Sequence, residues 1–148
     1  MNLLHLARPE DIDTLLPLVA RFHEHHGIAQ TEEKRRAAVL PLLEGIPHGM
    51  AYLIGPRKAP VGYIIISLGY SVELGGIEGF VDEFFIREKV RGRGMGSEVL
   101  TTLLPALKDH GIKALHLEVA RENESAQRLY KRAGFEPRDG YMLMTRTR

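Results

Sequence analysis

Two runs of residues in this chain are of types that do chemistry. Arg91-Gly92-Arg93-Gly94-Met95-Gly96 sets glycine at every second position beside two arginines, and Ser97 and an apolar stripe follow. Glycine takes positive φ and lets the main chain approach a ligand, so successive N–H groups can converge on phosphate oxygens. A helix starting there adds its partial positive charge, and Arg91 and Arg93 add full ones. Two other phosphate motifs fail on spacing: a dinucleotide fingerprint needs glycine where Ser97 stands, and a P-loop needs Gly-Lys-Ser/Thr where Gly96 is followed by Ser97 and Glu98. The second run is the acidic pair Asp82-Glu83 ahead of Phe84 and Phe85. A carboxylate held in a cleft takes up protons, and in a regular strand adjacent side chains point to opposite faces, so only one of the pair enters such a cleft directly.

The elements that must position these runs follow from hydrophobic patterning. Leu3 to Leu6 reads as a strand, and Pro9 then leads into Ile12, Leu15, Leu16 and Val19 at helical spacing, ending near Gly27. Thr31 is an N-cap for a second helix with Glu32 and Glu33 in its first turn, and Pro41 is expected to kink or split it. Ala51 to Ile54, Val61 to Leu68 and Ile77 to Ile86 read as consecutive antiparallel strands. The glycine run opens a helix carrying Val99, Leu100, Leu103, Leu104 and Leu107 and closed by Gly111. A strand over Ala114 to Val119, a helix over Ser125 to Ala133 and a last strand around Tyr141 to Met144 complete the order β-α-α-β-β-β-α-β-α-β. This is an α/β (α+β) pattern: a mixed, mostly antiparallel sheet with helices on both faces, expected as a single domain over residues 1–148.

Bulk composition removes other classes. The 148 residues are 44% apolar and 26% charged, near globular averages. A net charge of +1 gives no field that would favour nucleic acid or a membrane surface. The absence of cysteine excludes disulfides, zinc-thiolate sites and thiol nucleophiles, and fits a cytoplasmic location. The apolar window Val61 to Leu68 is far shorter than the roughly 20 residues of a membrane helix, and the first residues lack an export pattern. His23, His25 and His26 fall short of HExxH, which needs histidine at Gly27, so they read as a solvated helix end and no metal is expected.

VRGRGMGSEVL resembles motif A of the GNAT superfamily of N-acetyltransferases, with Arg91, Gly94 and Gly96 at its characteristic positions. NESAQRLYKRAGF is similar to the family's second signature, through Asn123, Ala126, Tyr130, Gly134 and Phe135. Within the family, VDEFFIREKVRGRGMGSEVL is similar to the diamine and polyamine N-acetyltransferases, with the usual Glu-Asp order reversed at Asp82 and Glu83. The resemblance implies acetyl-CoA as co-substrate: the main chain of Phe85 and Ile86 along the acetyl and pantetheine portion, the amides of Arg91, Gly92, Arg93, Gly94, Met95, Gly96 and Ser97 around the pyrophosphate, and Asn123 and Tyr130 toward the sulfur.

On that resemblance the expected reaction is direct transfer to a primary amine of a small polyamine-like or aminoglycoside-like acceptor. An amine with a pKa of about 10.4 needs a proton acceptor at neutral pH, which assigns Asp82 to the reaction centre through water and Glu83 to attracting the cation. A departing thiolate needs a proton, and the Tyr130 phenol is the expected donor. The first two helices, with the histidines, are expected along the acceptor pocket, with Glu73 and Glu78 on a cation-attracting rim. The resemblance to polyamine acetyltransferases also implies a homodimer. Two alternatives remain open at this stage, a protein or peptide N-acetyltransferase and a non-catalytic CoA-binding module.

Overall fold

The computed structural model describes residues 2–148. It contains two compact units, one reaching to Glu118 and one from Val119 to Arg148.

The first unit runs β1 (Leu4–Leu6), a 3₁₀ turn (Pro9–Asp11), α1 (Ile12–His25), α2 (Glu32–Glu44), β2 (Gly49–Ile54), β3 (Gly62–Ser71), β4 (Gly76–Ile86), a 3₁₀ turn (Glu88–Val90), α3 (Met95–Asp109) and β5 (Ile112–His116). The Thr31 hydroxyl accepts the Lys34 N–H at 3.1 Å, and Gly45 ends α2 at φ 96°. α2 continues through Pro41 unbroken, contrary to the expected split. Pro41 lacks only its own N–H, the one that would bond to the Ala37 carbonyl, and the helix carries on past that single missing bond.

The five strands lie side by side in sequence order, antiparallel except for the parallel β4–β5 pair. Alternation along the central strands divides the core between the two faces. Leu53, Tyr63, Ile65 and Phe85 pack with Leu15, Leu16, Val19, Val39 and Leu43 of α1 and α2. Ile54, Ile64, Ile66, Val81 and Ile86 pack with Val99, Leu103 and Leu107 of α3. Helices therefore cover both faces of a mostly antiparallel mixed sheet, as the patterning predicts.

The second unit has one regular element, α4 (Glu124–Arg132). Asn123 caps it, its Oδ1 accepting the Ala126 N–H at 3.2 Å. Gly134 at φ 100° turns the chain out, with the Phe135 N–H bonded to the Tyr130 carbonyl at 2.9 Å. The strand expected at Tyr141 to Met144 does not form: these residues carry no ladder, and their side chains are 70–83% exposed. An apolar tetrapeptide is extended stably only where its N–H and C=O groups find a neighbouring strand, and this unit contains none.

Candidate active site

β4 shapes the site in two ways. Ile65 pairs with Glu83 but Ile66 pairs with Val81, so Asp82 is an extra residue bulged out of the ladder. The expectation that strict alternation would send Asp82 and Glu83 to opposite faces is thereby corrected, because the bulge interrupts the alternation between them. In addition, β4 pairs with β5 only over Ile77–Phe80, against Ile112–His116, while its pairing with β3 continues to Ile86. From Val81 to Ile86 the edge of β4 turned away from β3 has no strand partner among the described residues. The sheet is open there.

The direction of each main-chain group along this open edge follows from register. The Arg87 N–H bonds to the Val61 carbonyl at 2.8 Å, so with a two-residue period Arg87 and Phe85 point to β3. Phe84 and Ile86 point the other way. Of the two residues expected to offer their main chain, Ile86 faces the opening, whereas Phe85 is committed to the ladder. Phe84, not singled out in the sequence, shares the direction of Ile86, since alternation along a strand is visible in sequence but its phase is not.

The Ile86 carbonyl already has one partner, the Arg91 Nε–H at 2.6 Å, and the Arg91 guanidinium lies 5.5 Å from the Phe85 ring centroid. Arg91 therefore braces the glycine loop against β4, rather than standing free as a charge in the loop. Its own N–H bonds to the Glu88 carbonyl at 3.2 Å, and the Val90 N–H to that of Arg87 at 3.1 Å. Beyond this point the loop is different. Gly92 and Gly94 take φ of 78° and 76°, a region that favours glycine, and Gly94 is the N-cap of α3. The N–H groups of Gly92, Arg93, Gly94, Met95, Gly96 and Ser97 have no acceptor among the described residues, and the first bond of α3 is from the Glu98 N–H to the Gly94 carbonyl at 3.1 Å. Arg93 is exposed and makes no ion pair among the described residues.

The acidic pair has two environments. Glu83 accepts from the Tyr63 hydroxyl at 2.8 Å on Oε1, and Oε2 lies 2.7 Å from Nε2 of His23. Asp82, exposed on the bulge, makes no hydrogen bond or ion pair with the described residues. Loss of surrounding solvent, then the nearby Glu83 charge, raise the Asp82 carboxyl above the usual range, with His23 opposing them. Burial, the Glu83 charge and the bond to Glu83 push the Tyr63 hydroxyl far up, so it remains a donor.

The three histidines separate. His25 and His26 are exposed, as expected of a solvated helix end, but His23 is buried on α1, which corrects that reading for it. The signal was present: His23 continues the stripe of Ile12, Leu15, Leu16 and Val19 at helical spacing. Glu78, expected on a cation-attracting rim, is paired with His116 at 2.7 Å, while Glu73 is exposed in the β3–β4 turn. Among the described residues no group of His, Asp and Glu is arranged to hold a metal ion. In the second unit, the Asn123 side chain is engaged as the helix cap. The Tyr130 ring packs edge-on against Phe135 at 5.8 Å, and burial raises its hydroxyl above the ordinary value.

The site thus joins a five-stranded mixed sheet, open along β4 beside a carboxylate pair, to a loop of bare amides that leads into α3. The profile of the Acetyltransferase (GNAT) family matches residues 15–135, and the chain belongs to that family. It is similar to the uncharacterized N-acetyltransferase YycN of Bacillus subtilis (strain 168), 35% identical over 65 residues that make up 44% of this chain and 42% of that one. It is also similar to the spermine/spermidine N(1)-acetyltransferase of the same organism, 36% identical over 58 residues, 38% of each chain. The matched segment thus spans well under half the length of these curated relatives. Among solved structures, an integron cassette protein, HFX_CASS3, from the mobile metagenome of Cole Harbour Salt Marsh superposes with a TM-score of 0.85 at 34% identity, over 98% of this chain and 90% of that one.

Proposed function

We propose that this chain is an acetyl-CoA-dependent N-acetyltransferase that moves an acetyl group directly to a primary amine of a small cationic molecule of the polyamine type. The observation that carries the reading is the run of unpartnered amides from Gly92 to Ser97 at the start of α3. Buried or not, such a run is an anion cradle, and two glycines at positive φ keep it open to a ligand. These amides would hold the pyrophosphate, with Arg93 beside them, and the outward main-chain groups of Phe84 and Ile86 would align the pantetheine arm. When bound, acetyl-CoA supplies an activated acyl group as a thioester.

The chain's own residues manage protons. Asp82, unpaired and with its carboxyl raised, takes a proton from the acceptor ammonium through water, because a base nearer neutrality matches that task. Glu83 is held by its two donors and supports the negative potential that draws a cation. Burial keeps the Tyr130 hydroxyl protonated at neutral pH, and on the family resemblance it would be the group that supplies a proton to the thiolate of CoA. The family match crosses both compact units, which supports a single working domain over residues 1–148. The likeness to a spermine/spermidine acetyltransferase supports a polyamine-like acceptor, and the resemblance extends the proposal to a cytoplasmic homodimer.

Calorimetric titration with acetyl-CoA, followed by a panel of polyamines, aminoglycosides and lysine-containing peptides monitored by thiol release, tests the reading. Binding and turnover with the small polyamines are expected. Acetyl-CoA that fails to bind at millimolar concentration removes the cradle assignment. Turnover with peptides alone replaces the acceptor class, and binding without turnover on any amine reduces the chain to a CoA-binding module.

A further inference from the structure

A chain of polar side chains runs from α2 through α1 to the bulge of β4. The Arg35 Nε–H donates to Nδ1 of His23 at 3.4 Å, and its Nη2 is pinned to the Gln30 carbonyl at 2.9 Å. An arginine nitrogen can only donate, so Nδ1 of His23 is the acceptor in this contact. The imidazole is thereby placed in the tautomer with its proton on Nε2, and Nε2 is the atom 2.7 Å from Glu83 Oε2. The Tyr63 hydroxyl supplies the other Glu83 oxygen from β3. Phe22 walls the site, with ring centroids 6.2 Å from Tyr63 and 6.4 Å from Phe85.

We infer that His23 is a positioning residue: fixed by Arg35 at one ring nitrogen, it holds Glu83 at the other, and so leaves Asp82 as the one carboxylate of the pair free to take a proton. The groups that face this pair are His23 from α1, Arg35 from α2, Tyr63 from β3, and the two carboxylates of β4 themselves. Every donor in that set is directed, straight or through His23, to Glu83, and none to Asp82. Neighbouring carboxylates titrate as a coupled pair, so a donor on one member governs where the pair as a whole takes its proton. Taking away the Nε2–H donor removes a bond that favours the charged form, and the pair then holds a proton to higher pH.

This inference rests on the assignment of Asp82 as proton acceptor in amine acetylation, and the experiment separates the two. On the full chain labelled with ¹⁵N-histidine, long-range NMR correlations read the His23 tautomer without any turnover. The Nε2–H form is expected near neutral pH, and Arg35→Gln is expected to release it to a mixture of tautomers. An Nδ1–H form in the unaltered protein overturns the inference. With a polyamine acceptor, the acidic limb of the kcat/KM profile, which reads ionisation of Asp82, is expected to move down by roughly one pH unit in His23→Leu, because Glu83 without its donor keeps the proton and no longer opposes the Asp82 charge. His23→Gln, whose amide N–H can still donate, is expected to return the limb most of the way. A uniform fall in kcat/KM at all pH values with an unmoved limb in both His23→Leu and Arg35→Gln means the residue only ties the helices to the sheet, and overturns the inference. Arg35→Gln carries the same reading should His23→Leu fail to fold. Asp82→Asn is expected to abolish the limb. A limb that survives there overturns the proton-acceptor assignment and, with it, the role given to His23, whatever the NMR shows.

Discussion

Tyr63→Phe isolates one atom of the site. The Tyr63 ring is fully buried, edge-on to Phe22 and 6.1 Å from Phe85, and the substitution keeps that packing while deleting the oxygen that donates to Glu83 at 2.8 Å. A hydrogen bond to a charged acceptor contributes about 1.5–3 kcal/mol, and Glu83 keeps its His23 partner, so a loss of about 2 kcal/mol is expected. For a chain of this length that is a fall in Tm of about 4–8 °C. The pH dependence gives a second reading. The native Tyr63 hydroxyl is held protonated, chiefly by burial and then by the Glu83 charge, while in the unfolded chain it ionises at about pH 10. Its contribution is therefore complete below about pH 10 and is lost as the pH rises further. Urea unfolding of both proteins from pH 7 to 11 should show a constant deficit in the variant up to about pH 10, shrinking above it. Equal midpoints at pH 7, or a deficit that widens in alkali, would refute the argument that this hydroxyl is a buried donor to a carboxylate.

Other substitutions test other steps. Gly62→Ala would place a Cβ 2.1 Å from the Phe85 carbonyl oxygen and 3.0 Å from Ile86 Cα, so the β3–β4 ladder must shift; a loss of about 3 kcal/mol is expected by thermal melting, and an unchanged Tm would contradict the register. Asp82→Asn should slow amine acetylation and remove its acidic limb yet raise Tm at neutral pH, because a carboxyl whose native pKa is raised makes the folded state less stable once ionised. That gain should vanish below about pH 4, where Asp82 is protonated in both states; a gain that persists there would point to another cause. Asn123→Ala removes the N-cap of α4, with a stability loss of about 1 kcal/mol by urea unfolding, and no loss would show that the cap bond is idle.

Much of the fold is legible in the chain because the relevant signals are local. The stripe from Ile12 to Val19, the cap at Thr31 and the glycines around α3 each specify an element without help from distant residues. What was not legible depends on pairing. The bulge at Asp82 exists only relative to Ile65 and Ile66 of β3, and no property of Val81-Asp82-Glu83 taken alone marks an extra residue. Tyr63 sits in an apolar run and reads as core until Glu83 is placed beside its hydroxyl. Arg91 looks like a free phosphate ligand until the Ile86 carbonyl is seen to hold it. Tyr141 to Met144 illustrates the converse, since apolar composition promises a strand that only a neighbour can supply. His23 alone could have been recovered, by extending the α1 stripe one more turn.

The irregularity in β4 also separates what the architecture requires from what the chemistry requires. Val81 already matches Ile66 on the α3 side, and Glu83 already matches Ile65 on the α1 side. A chain shortened by deleting Asp82 would therefore join those two residues directly into an uninterrupted strand, with every apolar side chain still on its present side. The architecture has no need of the eighty-second residue. Its presence makes the strand one unit longer than packing demands, and that surplus unit carries the unpaired carboxylate.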